Sequence, residues 1–130
     1  MQIARELYDQ LIAHARAEAP NECCGMIAAS DGRAVAVHRA ENAAASPLRY
    51  EIAPLQLLAI TSAIEDAGHD LGAIYHSHTR TAPEPSQTDI NLALYPDALY
   101  VIVGLAADEP DVRAWRIVDG EVSEAELVVE

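Results

Sequence analysis

Residues 74–89 read IYHSHTRTAPEPSQTD. An apolar run ends in two histidines, His76 and His78, and a proline-containing loop leads to Ser86 and Asp89. The run from Leu71 to Ser77 has the length and composition of a buried strand. Side chains at i and i+2 on a strand point to the same side, so both imidazoles can reach one point. Two imidazoles there suit a borderline-soft divalent metal, and a third protein ligand leaves a fourth tetrahedral position for water. Asp89, in the first turn of the next helix, is the nearest candidate for that third ligand. Plainer readings stand beside this one. The histidines can be a polar strand end bonded to the loop, and SxxD before an apolar stretch is also a helix capping box.

Working outward, the chain before this stretch predicts an amphipathic helix over 3–19, with Ile3, Leu7, Leu11, Ile12 and Ala15 at helical spacing and Pro20 ending it. Cys24–Ala29 and the run from Ala34 form a β-hairpin through the Ser30–Gly32 turn. The segment ENAAASP is a loop, and Leu48–Ile52 reads as a short strand. Pro54 opens a second helix that ends near Gly68. After the central stretch, Ser86–Tyr95 predicts a short helix stopped by Pro96, and Ala98–Leu105 a further buried strand. Strands at Val112–Val118 and Glu121–Val129 are joined by an Asp119-Gly120 turn. Helices and strands interleave first and strands close the chain. This pattern points to an α/β or α+β domain, a three-layer mixed sheet flanked by helices.

With 130 residues, 51% of them apolar, the chain has the size and composition of one domain with a substantial core. Its formal net charge is −13, and all eight bases are arginine. Such an acidic surface repels phosphate backbones and anionic membranes, so neither nucleic acid nor membrane is an expected partner. The absence of lysine removes Schiff-base chemistry. Cys23 and Cys24 are adjacent and ill placed to form a disulfide with each other, which fits a reducing, cytoplasmic setting. Cys24 reads as a small buried hydrophobe. His14, His38 and His69 lack partners at metal spacing and read as surface residues.

The joint pattern HSH, seven residues, SxxD is more specific than any of its parts. With the upstream glutamate of NECCG it resembles the JAMM (MPN+) metallopeptidases, whose signature is Glu, then HSH or HTH, seven residues, SxxD. The resemblance implies one domain over 1–130 with the JAMM/MPN, cytidine deaminase-like fold. It implies one zinc ion per chain held by His76, His78 and Asp89, with water at the fourth position. Glu22 becomes the acid/base that takes a proton from that water and passes it to the leaving amine, and Ser86 the group that bonds the oxyanion. Taken without the family, Glu22 is an ordinary acid at a helix end.

Thr79 after the second histidine, a proline just before Ser86, the ECCG segment and WRIVDGEV near the end resemble one bacterial branch of the family. Its members release cysteine from the C-terminus of a ubiquitin-fold sulfur-carrier protein in cysteine biosynthesis. The implied partner is a carrier ending in Gly-Gly-Cys, cut between Gly and Cys. Arg80 and Arg49 are the candidates to meet the terminal carboxylate. A homodimer is among the assemblies the resemblance allows. Two alternatives remain: an isopeptidase that removes ubiquitin-like modifiers from lysine, and a non-catalytic MPN scaffold.

Overall fold

A computed structural model describes all residues of the chain, Met1–Glu130. The order of elements is β1 (Gln2–Ile3), α1 (Arg5–Glu18), β2 (Cys24–Ser30), β3 (Arg33–Ala40), α2 (Pro54–Asp66), β4 (Asp70–His78), α3 (Gln87–Asn91), β5 (Leu99–Gly104), β6 (Asp111–Val118), β7 (Glu121–Ala125) and β8 (Val128–Val129). One eight-stranded sheet runs β7-β6-β5-β4-β2-β3-β1-β8. The pairs β4–β5, β1–β3 and β1–β8 are parallel, and the other four are antiparallel.

The three middle strands, β5, β4 and β2, are the apolar runs of the sequence, buried on both faces along most of their length. One face carries Ile27, Tyr75, Val101 and Val103, which pack with Leu11 and Ala15 of α1. The opposite face carries Met26, Ile74 and Tyr100, which pack with Ile60 and Ile64 of α2. The helices therefore lie on opposite faces, and the expected three layers are present. Asp31-Gly32 and Asp119-Gly120 turn the two hairpins with both residues at positive φ, the geometry that matches the twist of the flanking strands.

Several local expectations are corrected. Ile3 belongs to β1, not to the first helix. Leu48–Ile52 is loop, not strand, because the side chain of Asn42 takes up the backbone groups of Ala44, Arg49 and Glu51. The short helix ends at Asn91, well before Pro96.

The last strand is two: β7 closes one edge of the sheet and β8 the other. Only Glu126 and Leu127 join them, so the edges approach within about 11 Å, the reach of three Cα steps. The sheet must curl for this to happen. Ala125 of β7 and Val129 of β8, with Leu127 between them, pack against the cluster that holds Ile3 of β1 and the inner face of α1, which places α1 inside the curl.

Candidate metal centre

His76 and His78 end β4 on the same face as Ile74. The Nε2 atoms of the two rings stand 3.2 Å apart, and Asp89 Oδ2 lies 3.1 Å from His76 Nε2 and 3.0 Å from His78 Nε2. All three residues are buried. Ligands about 2.0–2.1 Å from a tetrahedral ion stand about 3.3 Å from one another, so this triangle has the right size for one.

Protonation favours the same reading. His78 Nδ1 is 2.9 Å from the Ala82 carbonyl, which can only accept, so Nδ1 carries the proton there. In the neutral ring Nε2 then offers a lone pair to the centre, the tautomer a metal requires. In the metal-free chain a proton on Nε2 bridges that nitrogen and Asp89 Oδ2, and a divalent cation can take the proton's place between the same atoms. The residues present therefore fit a divalent metal.

Asp89 is delivered by α3. Ser86 Oγ accepts the Asp89 N–H at 3.1 Å, and the Ser86 N–H donates to Asp89 Oδ2 at 2.9 Å, a reciprocal capping box. The capping and metal-ligating readings of SxxD thus coexist in one geometry. Burial opposes the Asp89 charge, but bonds with His76 and His78 outweigh it and hold the carboxyl well below the usual range. Burial also depresses His76, against the pull of Asp89. For His78 the same burial is outweighed by Asp89 and the Ala82 carbonyl, and its pKa is raised.

Glu22 sits between α1 and β2 and is 3% exposed. Its Oε1 has no hydrogen-bond partner. Burial pushes its carboxyl up to about 7, offset by His78 and reinforced by the charge of Asp89. Glu22, His78 and Ser86 line one cleft of about 190 Å³, together with Leu48, Thr79 and Arg80. Arg49 lies exposed on the neighbouring loop and is not among the lining residues. Five of the sequence candidates, Glu22, His76, His78, Ser86 and Asp89, therefore gather at one centre, and Arg80 lies at its mouth.

Three features differ from or add to the sequence expectations, and of these His14 had a signal, its helical spacing from Leu7 and Leu11. Tyr50 stacks on the His76 ring at 4.5 Å and 24°. Ser77, between the two histidines, accepts the Cys23 N–H at 2.8 Å on its Oγ and donates its own N–H to the Cys23 carbonyl, tying β4 to the residue after Glu22. His14 is buried, not a surface residue as its sequence context suggests, with Nδ1 2.7 Å from the Tyr75 hydroxyl. It lies on the inner face of α1 beside Leu11 and Ala15, and that hydroxyl satisfies it. Both cysteines are buried free thiols, pushed by burial up to about 11 for Cys23 and about 12 for Cys24, which fits packing and not reactivity.

A family model described as prokaryotic homologs of the JAB domain matches residues 4–118. The chain is 40% identical over 128 residues to a CysO-cysteine peptidase of Mycobacterium tuberculosis, covering 94% of this chain and 86% of that protein. It is 40% identical over 109 residues to a desampylase of Haloferax volcanii, covering 78% of each. Among solved structures, protein DSY2949 from Desulfitobacterium hafniense superposes with a TM-score of 0.89 at 28% identity, covering 100% of this chain and 93% of that one. A structure described as a JAMM metalloprotease-like zinc site in the proteasome and signalosome shares the fold, with a TM-score of 0.64 at 20% identity over 100% and 97% of the two chains.

Proposed function

The chain belongs to the family of prokaryotic JAB-domain homologs, enzymes of the JAMM metallohydrolase class, and from that premise we propose that it is a zinc peptidase releasing cysteine from the C-terminus of a ubiquitin-fold sulfur-carrier protein. The observation that carries the reading is the convergence of His76, His78 and Asp89 on one point beside a cleft lined by Glu22. The similarity to a CysO-cysteine peptidase over nearly the whole chain supports the choice of substrate.

Zinc, when bound by His76, His78 and Asp89, supplies Lewis-acid polarisation of the scissile carbonyl and lowers the pKa of water toward about 7. Glu22, held near neutrality by its burial, takes the proton of the attacking water and returns it to the leaving amine of cysteine. The Ser86 hydroxyl accepts the Asp89 N–H and keeps its own hydrogen free to donate to the oxyanion. Arg80 lines the cleft and is assigned the carboxylate of the departing cysteine; Arg49, on the loop that also carries Leu48, is the alternative. A cleft of about 190 Å³ suits a Gly-Gly tail, which has no side chains to accommodate.

A second reading, removal of a ubiquitin-like modifier from lysine, is favoured by the similarity to a desampylase. The two share their chemistry and differ in the leaving amine. The test offers the purified enzyme a carrier-Gly-Gly-Cys conjugate and an isopeptide-linked conjugate side by side. The reading expects one zinc per chain and preferential cleavage of the cysteine adduct, abolished by a chelator and by Glu22→Ala. Preferential cleavage of the isopeptide would establish the second reading, and cleavage indifferent to chelator would overturn both.

A further inference from the structure

Glu22 lies in the short segment between α1 and β2, so neither a helix nor a sheet ladder fixes its backbone. Both of its peptide groups are nevertheless bonded, and both to the loop that follows β3. The Glu22 N–H donates to the Ser46 carbonyl at 2.9 Å, and the Glu22 carbonyl accepts from Asn42 Nδ2 at 3.0 Å. Asn42 also holds that loop together. Its Nδ2 donates to the Arg49 carbonyl at 3.0 Å, and its Oδ1 accepts the N–H groups of Ala44 at 3.0 Å and Glu51 at 3.1 Å. The loop so folded puts Leu48 into the cleft and Tyr50 against the His76 ring.

We propose that Asn42 is a positioning residue for the reaction: its side-chain amide sets the backbone of Glu22 and joins it to the loop that lines the cleft. The inference rests on the role of Glu22 given above. Asn suits the position because it must donate twice and accept twice at once, which no hydroxyl or carboxylate can do. A group bound so that a carboxylate meets a reacting water loses much of its effect when displaced by about 1 Å. On its other side the segment is pinned independently, through the Cys23 N–H and Ser77 Oγ. Asn42 Nδ2 also stands 3.5 Å from the Ser46 carbonyl that accepts the Glu22 N–H, so loss of the Asn42 amide releases the Glu22 carbonyl and loosens the partner of its N–H without releasing Cys23.

Asn42→Asp separates the two functions of the side chain. It keeps an oxygen for the Ala44 and Glu51 N–H groups but sets a second oxygen against the Glu22 and Arg49 carbonyls. Asn42→Ala removes every bond. Zinc content, kcat and KM on the carrier-Gly-Gly-Cys conjugate, and amide hydrogen exchange of the chelated protein are measured for both variants, with and without Glu22→Gln.

Asn42→Asp is expected to bind one zinc per chain and to lose at least about tenfold in kcat with KM changed by less than about threefold. The Glu22 amide should exchange faster while Cys23 stays protected. In the Glu22→Gln background the same change should cost little further, because residues acting through one group are not additive. An unchanged Glu22 amide, an unchanged kcat, or an equal loss in both backgrounds would overturn the inference. If the parent fails to cleave the conjugate, or Glu22→Gln retains its full rate, the proposed function fails instead, and the exchange of the Glu22 amide still decides the role of Asn42. Should Asn42→Ala not fold, Asn42→Asp decides alone.

Discussion

Glu22 is buried with a carboxyl oxygen that nothing in the protein satisfies, and the role proposed for it and its cost come from that same fact. Burial raises its pKa from 4.5 to about 7, so between those values the metal-free folded chain holds a proton that the unfolded chain releases. Stability from this group is therefore complete below the lower value and falls as pH rises through the upper one, by as much as about 3 kcal/mol. Glu22→Gln should accordingly make the chelated protein more stable than its parent at pH 8, a gain absent at pH 4, as urea unfolding at the two pH values will show. The same substitution should lower the rate of the zinc-loaded enzyme by about 10²–10⁴-fold, the usual worth of a positioned acid/base. His76, His78 and Asp89 were legible because strand period and helix capping are local rules acting within fourteen residues, His76 to Asp89. Glu22, more than fifty residues upstream, was reached only through the family resemblance. Nothing about Asn42 or Tyr50 distinguishes them in the sequence, because their roles arise from a loop folded by one side chain.

The helices and hairpins that matched expectation are those whose ends carry their own signals, Pro54 for α2 and Asp-Gly for two turns. The split of the last strand lacks such a signal. EVSEAELVV contains no Gly or Pro to mark the break at Glu126–Leu127, and β8 forms where it does because the two-residue strand β1 offers it a partner. The loop from Thr79 to Pro85, which links β4 to α3, is held in the middle. The side chain of Pro83 packs so close to Gly104 that a Cβ there would stand 2.9 Å from it, and the Pro83 carbonyl accepts the Trp115 Nε1–H at 2.8 Å. Trp115→Phe keeps a ring and removes that bond. It should cost about 1 kcal/mol of stability and lower kcat/KM, with zinc content unchanged, by thermal unfolding, elemental analysis and kinetics together.

At the scale of the molecule, the sheet curls around α1 and leaves its outer face to α2, α3 and the His76, His78 and Asp89 group. His76 and His78 of β4 and Asp89 of α3 are brought together only in the folded chain, so an ion bound by them stabilises the fold by mass action. Free zinc at about a hundred times its dissociation constant should add about 2.7 kcal/mol, raising the thermal midpoint. His78→Ala should remove the zinc-dependent rise while leaving the sheet intact by circular dichroism. No helix is long and apolar enough to cross a membrane. The net charge of −13 favours a partner that is neutral or basic near its tail. The measurement that tests the account most directly is the intact mass of a ubiquitin-fold carrier ending in Gly-Gly-Cys, followed over time with the zinc-loaded enzyme. Loss of one cysteine residue and nothing more, halted by chelator, is the expected outcome. An unchanged mass, or a cut elsewhere in the tail, would contradict it.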